Sequence, residues 1–431
     1  MKNLKKNLAN ILLLIFSVSL TLWASERIYR KAIFGKNPAF NKYRIPMLYA
    51  QDWDENFWKL AQTWGMTKPL KTHVLLGWNF KCWNKTYFHP QVQYLKGRRP
   101  VLLYGDSFGQ CIDSTTCFED YLNADTAFNK KYFFINYGSG AHGVDQIYTL
   151  FKSSFYHYDN PIVIFSFLTN DLGRSVLNFR EGEKPIYKVL PDGSLYLDTS
   201  MYLPSNVAYL KKYPPTIKSY LWNKFLYSKA NFLPKSLTYQ LTGEAANWEK
   251  VRELNKVILT DAIRLLRETK TDNMFLCFQE TKDYMLPEKD NLRLSFIRQL
   301  FTDNKLQYIW AKDVIRDGTN LKDSIAVSKY HIWHDGHPTS YFNYTLAQEM
   351  KKRILSGEYE KYAPTERTFP NKIFAQQNYY YADRLDSTIK KIYADSLRMN
   401  ESRTVAAQKN ISVEQAVEDY AIWSLWVTEE R

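Results

Sequence analysis

Val101-Leu-Leu-Tyr-Gly-Asp-Ser-Phe-Gly109 is an apolar run that stops at a glycine and is followed at once by polar residues. The run Val101–Tyr104 predicts a short buried strand. Gly105 permits a sharp turn, and Ser107 follows two residues later, where a fold can present a nucleophilic hydroxyl at the edge of a sheet. Asp106-Ser107 also fits an ordinary turn or helix cap, so later parts of the chain must decide between these interpretations.

Four more apolar runs follow, and helical patterns separate them. The predicted strands are Val101–Tyr104, Tyr132–Asn136, Pro161–Phe167, Met274–Phe278 and Leu306–Trp310. The predicted helices between and after them cover residues 117–122, 143–155, 247–268, 290–301 and 345–354. Strands that alternate with helices predict an α/β fold in which helices cover both faces of a five-stranded parallel sheet, a three-layer αβα arrangement. Ligands of such sheets bind at the carboxyl ends of the strands.

The chain divides into several predicted parts. They are a signal anchor or signal peptide at 1–25, an N-terminal extension at 26–98, an α/β domain at 99–356 with an insertion at 178–246, and a helical C-terminal region at 357–431. The insertion opens with a predicted hairpin, two short apolar runs on either side of Pro191-Asp192-Gly193. In the C-terminal region, Ser412-Val-Glu-Gln415 has the pattern of a capping box that opens a helix.

The N-terminus has the features of a membrane-targeting segment. Lysines at 2, 5 and 6 precede a mainly apolar stretch, Leu8–Ala24, which is at the short end of what spans a bilayer. Leu22-Trp23-Ala24 puts bulk where a signal peptidase needs small residues, so we expect an uncleaved anchor with its N-terminus inside. A cleaved signal, and a secreted protein, is the alternative. Either way, the rest of the chain is expected outside the cytoplasm, in the periplasm or cell envelope.

The charge distribution and the cysteine spacing limit the classes of partner that the protein is expected to bind. The formal net charge is +14 and 45% of the 431 residues are hydrophobic, but the basic residues are scattered and no nucleic-acid-binding motif occurs. Cys111 and Cys117 flank a predicted turn and are candidates for a disulfide, whereas Cys277 lies in an apolar run and is expected to be a buried thiol. The cysteine spacing does not resemble a zinc site. No nucleic acid and no cofactor is expected.

Polar residues collect where the predicted strands end. The first strand is followed by Ser107, the second by the glycine-rich segment 136–143, and the third by Asn170-Asp171. Asp335 and His337 come just before the last helix of the domain. A serine hydroxyl needs a base, a histidine base needs an orienting carboxylate, and an oxyanion needs N–H donors. These strand ends therefore hold the parts for acyl transfer.

The arrangement resembles the SGNH, or GDSL-type, hydrolase superfamily. The four blocks of that family appear in order as Gly105-Asp106-Ser107, Asn136-x-Gly138, Asn170-Asp171 and Asp335-x-His337-Pro338, and the resemblance covers about residues 99–356. It implies a flavodoxin-like sheet, with Ser107 as nucleophile, His337 as base and Asp335 as its partner. It also implies an oxyanion hole made by Ser107, a residue of the glycine block and Asn170.

Two positions depart from the family pattern. The oxyanion glycine, counted from Asn136, falls on Ala141, with Gly140 just before it. The acid and base are separated by one residue where many members have two, a spacing that would put His334 in the place of the acid. We keep Asp335 as the acid and both Ala141 and Gly140 as candidate oxyanion donors.

Other interpretations remain open. Gly105-x-Ser107-x-Gly109 also fits the nucleophile elbow of α/β-hydrolases, although in that fold the acid and the histidine usually lie on separate loops. A cluster of potential metal ligands is formed by His331, His334, Asp335 and His337. A catalytically inactive binding module of the envelope is a further alternative.

We expect a serine esterase or acyltransferase that acts through a Ser107 acyl-enzyme. An O-acylated glycan of the envelope is the first substrate class, by location and superfamily analogy, and a lipid ester is the second.

Overall fold

The computed structural model describes most of the chain. The described residues are 2–34, 54–63, 72–73, 76–78, 95–112, 114–199, 206–228, 231–285, 287–288, 291–316, 323–332, 336–363, 379–409, 412–414, 416–417 and 420–421. The predicted site residues His334 and Asp335 lie outside them. The chain forms two compact units. Unit 1 comprises Met1–Lys68 and Leu210–Glu249, and unit 2 comprises Pro69–Tyr209 and Lys250–Arg431.

Unit 2 contains the central sheet. The strands are β1 (Thr72–His73), β2 (Gly77–Trp78), β3 (Arg99–Gly105), β4 (Tyr132–Gly138), β5 (Ile162–Leu168), β6 (Ile186–Val189), β7 (Leu195–Asp198), β8 (Asp272–Phe278) and β9 (Tyr308–Trp310). Five of them form one sheet in the order β4-β3-β5-β8-β9, and every neighbouring pair is parallel. The predicted α/β class and five-stranded parallel sheet are confirmed.

Helices connect these strands. They are α1 (Lys2–Phe34), α2 (Glu55–Thr63), α3 (Ser107–Gln110), α4 (Phe118–Ala124), α5 (Thr126–Asn129), α6 (Val144–Ser154), α7 (Asp171–Arg174), α8 (Asn206–Lys212), α9 (Tyr220–Tyr227), α10 (Lys235–Leu241), α11 (Glu244–Glu268), α12 (Thr281–Met285), α13 (Leu292–Asp303), α14 (Ala311–Arg316), α15 (Ser324–Ser328), α16 (Ser340–Ser356), α17 (Tyr379–Ala394) and α18 (Ser396–Lys409).

The sheet is the core of unit 2. All residues of β5 and of β8 are buried, which explains why β5 and the Met274–Phe278 part of β8 show no alternation of apolar and polar residues. Gly105 and Gly138 are paired at the carboxyl ends of β3 and β4. A Cβ on Gly138 would collide with the backbone of Gln110, so α3 can pack across the end of β4 only because this position is glycine.

Several predicted boundaries were wrong by a few residues. Cys117 was expected to be the first residue of the helix after α3, but it occupies the N-cap position of α4, and its N–H donates to Asp120 Oδ2 at 2.9 Å. Strand β8 begins at Asp272, two residues earlier than predicted. Asp272 is a buried strand residue because its carboxylate pairs with Arg99 at 2.6 Å, a partner that lies far away in the sequence.

The cysteines and the hairpin follow their predictions. Cys111 and Cys117 form a disulfide, and Cys277 is a free, buried thiol. Strands β6 and β7 are antiparallel, and the turn between them uses Gly193 with a φ of 81°, in the region that favours glycine.

Unit 1 contains the candidate membrane helix. Within α1, the residues Asn7–Ala32 are long and apolar enough to cross a membrane. Past the apolar stretch Leu8–Ala24, Tyr29 packs against Leu60 of α2 and Tyr220 of α9. The end of α1 therefore belongs to the folded core of unit 1.

The C-terminal region is helical as far as it is described. Helices α17 and α18 pack through a small apolar cluster around Ile392, Val417 and Ala421. The carbonyl of Ser412 accepts the N–H of Ala416 at 3.1 Å, as a helix start at this position requires.

Candidate active site

Ser107 lies where the sequence predicted a site, at the carboxyl end of the parallel sheet. Strand β3 ends at Gly105, and Ser107 is the first residue of the short helix α3. Asp106 caps this helix, since its Oδ1 accepts the N–H groups of Phe108 (3.1 Å) and Gly109 (3.4 Å). The Ser107 hydroxyl is half-buried and donates a long hydrogen bond, 3.4 Å, to Asp106 Oδ2. Its position is thus set by a buried carboxylate one residue away.

A buried arginine connects this turn to the next strand end. Arg174 Nη1 lies 2.5 Å from Asp171 Oδ1 and 3.9 Å from Asp106 Oδ2, and both carboxylates are fully buried. Burial raises the pKa of Asp106, against the opposing charges of Arg174 and His337. Burial and the charge of Asp106 hold the pKa of Asp171 well above its ordinary value. One guanidinium therefore balances two carboxylates beneath the site.

The glycine block supplies two candidate backbone N–H donors, which differ in whether they already make a hydrogen bond. The N–H of Gly140 donates to Gln110 Oε1 at 2.5 Å and is already engaged. For the N–H of Ala141, no hydrogen bond is found within the described part of the chain. Ala141 has a φ of 64°, in the left-handed region that favours glycine. Of the two candidates, Ala141 is the one whose N–H can still bind an oxyanion.

Asn170 follows strand β5, but its side chain has partners that the sequence did not suggest. Its Nδ2 donates to Glu280 Oε1, and its Oδ1 accepts from Arg293 Nη1. A carboxylate only accepts and a guanidinium only donates, so these two neighbours fix the orientation of the amide. One N–H of Nδ2 is engaged by Glu280, and no other hydrogen bond of Nδ2 is found among the described residues.

His337 lies in a tight loop that brings it to the serine turn. The loop closes through the bridge between His331 and Pro338, and the N–H of Ile332 donates to the carbonyl of His337 at 2.8 Å. The rings of His337 and Phe108 have centroids 5.2 Å apart, and Phe108 directly follows Ser107. The structure therefore brings His337 beside the serine turn.

His331 has a different role in the same loop. Its Nδ1 lies 3.0 Å from the carbonyl of Gly336, and its ring packs against Tyr284 and Phe342. Burial lowers the pKa of His331 to about 4, so the ring is neutral near pH 7 and holds the loop together. No cluster of three or more potential metal ligands occurs in the parts of the chain that the structure describes.

Sequence reasoning missed Arg174, Glu280 and Arg293. The rule that polar residues at strand ends form the site also applies to Glu280, which lies two residues after the end of β8. Arg174 lies one turn after Asp171 on α7, a spacing that favours a side-chain pair. Arg293 contacts Asn170 across 123 residues of sequence, and nothing local indicates it.

A scan against protein-family models and a search of curated proteins both found no match to this chain.

Proposed function

We propose that this chain is a serine esterase or acyltransferase of the SGNH type, held outside the cytoplasm by α1. The observation that carries the proposal is the placement of Ser107 and His337 together at the carboxyl edge of a parallel sheet. The sheet order, second-first-third-fourth-fifth, is the flavodoxin-like order, which supports the finer fold assignment and a three-layer αβα arrangement.

In the proposed reaction, Ser107 Oγ attacks the carbonyl carbon of an ester while its proton passes to His337. The ester C–O bond then breaks, and the alcohol leaves with the proton from His337. Water or an acceptor hydroxyl attacks the acyl-enzyme with His337 again as base. Asp335 is assigned to His337 by sequence, as the carboxylate that orients the imidazole and stabilises its charge.

The negative oxygen of the tetrahedral intermediate needs preorganised donors. The N–H groups of Ser107 and Ala141 have no hydrogen-bond partner in the described part of the chain and are the backbone donors in this proposal. The second N–H of Asn170 Nδ2 is the side-chain donor. Glu280 and Arg293 hold that amide and are positioning residues.

The substrate class proposed is an O-acylated glycan of the cell envelope. Two arguments support this substrate class. The apolar helix α1 would hold the site at the envelope, and the superfamily offers an analogy.

The test is release of acetate from an O-acetylated polysaccharide by the full chain in detergent micelles. Ser107→Ala is the inactive variant, and Ser356→Ala, on the exposed end of α16, is the matched serine control. Release by the wild type and by Ser356→Ala, but not by Ser107→Ala, is expected. Release that persists in Ser107→Ala would contradict the proposal, and hydrolysis of a lipid ester alone would replace the glycan as substrate.

A further inference from the structure

Unit 1 carries exposed aromatic side chains on a strongly basic segment. Residues 211–241 contain six lysines and no aspartate or glutamate. Within this segment, Trp222 is 50% exposed and Phe232 is 83% exposed. The Phe225 ring stacks on Trp222 at 5.5 Å and contacts Phe232 at 5.3 Å. We call these three side chains the aromatic face. Aromatic rings with surrounding lysines are typical of protein surfaces that lie in a membrane interface.

The aromatic face is joined directly to the end of the apolar helix. The Glu26 carboxylate accepts the N–H groups of Tyr220 and Leu221, each at 3.0 Å, at the start of α9. Arg30 Nη2 donates to the carbonyl of Lys218 at 2.6 Å, and its guanidinium lies over the Tyr220 ring at 4.8 Å. Polar side chains of α1 therefore fix the first turn of α9, which contains Trp222.

The short distance along α1 from the apolar stretch to Glu26 puts the contact between α1 and α9 at the depth of lipid headgroups. Glu26 is the second residue after Ala24, the end of the apolar stretch Leu8–Ala24, and two residues span about 3 Å along a helix axis. The headgroup layer on each side of a bilayer is about 5–7 Å thick. Near the same end of α1, the Arg27 guanidinium lies 5.5 Å from the Trp23 ring, a pairing typical of the interfacial belt of a membrane helix.

We propose that unit 1 rests on the surface of an anionic lipid bilayer, with the aromatic face in the interfacial layer and the lysines of residues 211–241 against lipid headgroups. This inference rests on the proposal that α1 spans the membrane. Apolar burial of the rings and attraction of the lysines both favour this contact, and the attraction weakens as salt rises. The surface would fix the orientation of unit 1 relative to the bilayer.

The experiment uses the full chain in nanodiscs with a single fluorescent thiol label. The background variant is Cys82→Ser, because Cys111 and Cys117 are joined in a disulfide and Cys277 is buried. The label is placed at Phe232→Cys, at Leu13→Cys within α1, and at Ile325→Cys. Ile325 is 81% exposed and is the matched control, an equally exposed apolar residue of unit 2. Quenching by lipids with a nitroxide near the headgroup is measured in phosphatidylcholine alone and with phosphatidylglycerol added.

We expect strong quenching at Phe232, little at Ile325, and a further increase at Phe232 when phosphatidylglycerol is present. Quenching at Leu13, probed with a nitroxide deep in the acyl chain, reports the span itself. Quenching at Leu13 with no more at Phe232 than at Ile325 would overturn the surface proposal and leave the anchor intact. Absence of quenching at both Leu13 and Phe232 would reject the anchor as well.

Discussion

Ser107 and Asn170 occupy equivalent places, each directly after a central parallel strand, yet their side chains meet different surroundings. The Ser107 hydroxyl makes one long hydrogen bond, to its neighbour Asp106. The Asn170 amide is held on both sides, by Glu280 and Arg293. A nucleophile must move towards its substrate, whereas an oxyanion donor acts best when it is fixed in advance. The difference between the two strand ends fits this division of roles.

The two strand ends also share one ion-pair partner, the buried Arg174. Arg174 lies between Asp106, next to Ser107, and Asp171, next to Asn170. Any change to this arginine should therefore disturb both ends at once, while changes to Glu280 or Arg293 should act on the asparagine alone.

The largest expected effect on stability comes from Arg174→Met. Removal of the guanidinium takes away the closest counter-charge of two buried carboxyl groups, which costs about 3–5 kcal/mol of unfolding free energy. Because burial raises both carboxyl pKa values in the folded state, the folded protein binds more protons there than the unfolded chain, and stability falls as pH rises. Chemical denaturation should show a larger loss at pH 8 than at pH 5. An equal loss at both pH values would contradict the charge balance inferred here.

Asn170→Ala tests the donor role at the second strand end. Loss of one oxyanion donor lowers kcat by about 10²- to 10³-fold, with little change in KM, because the interaction is made mainly in the transition state. Steady-state kinetics on a soluble ester would measure this, with circular dichroism to check folding. A rise in KM at unchanged kcat would instead assign Asn170 to substrate binding.

The pH dependence of stability tests the role of His331. His331 has its pKa lowered by burial to about 4, so between that value and its ordinary one the unfolded chain binds more protons than the folded protein. Stability should therefore fall as pH drops through this range, by roughly 3 kcal/mol in total. His331→Asn keeps a donor for the Gly336 carbonyl and removes the titration, so its thermal unfolding should depend less on pH. An unchanged slope in His331→Asn would contradict the assignment of this pH dependence to His331.

The smallest of these effects is expected for Arg293. Arg293→Ala frees one side of the Asn170 amide, and misplacement of a donor costs about tenfold to a hundredfold in kcat. Arg293→Lys keeps a donor to Asn170 Oδ1 and should recover part of the rate. If Arg293→Ala and Arg293→Lys lose the same activity and both raise only KM, Arg293 contacts substrate rather than positioning Asn170.

The sheet could be predicted from sequence because its signal is local. Each central strand is an apolar run bounded by a turn, as Ile162–Leu168 shows, and parallel strands must place their carboxyl ends at one edge. Partners that are distant in sequence could not be predicted. Asp272 is buried in β8 because Arg99 reaches it, and Asn170 is oriented by Arg293. Neither pair leaves a pattern within a short window of sequence.

The most direct test is covalent labelling of the full chain by a fluorophosphonate, which forms a phosphorus–oxygen bond to an activated serine and releases fluoride. The wild type, Ser107→Ala and His337→Ala would be compared in detergent after confirmation of folding. We expect labelling of the wild type, none in Ser107→Ala, and much slower labelling in His337→Ala. A folded wild type that is not labelled, or labelling that persists unchanged in Ser107→Ala, would contradict the assignment of Ser107 as the nucleophile.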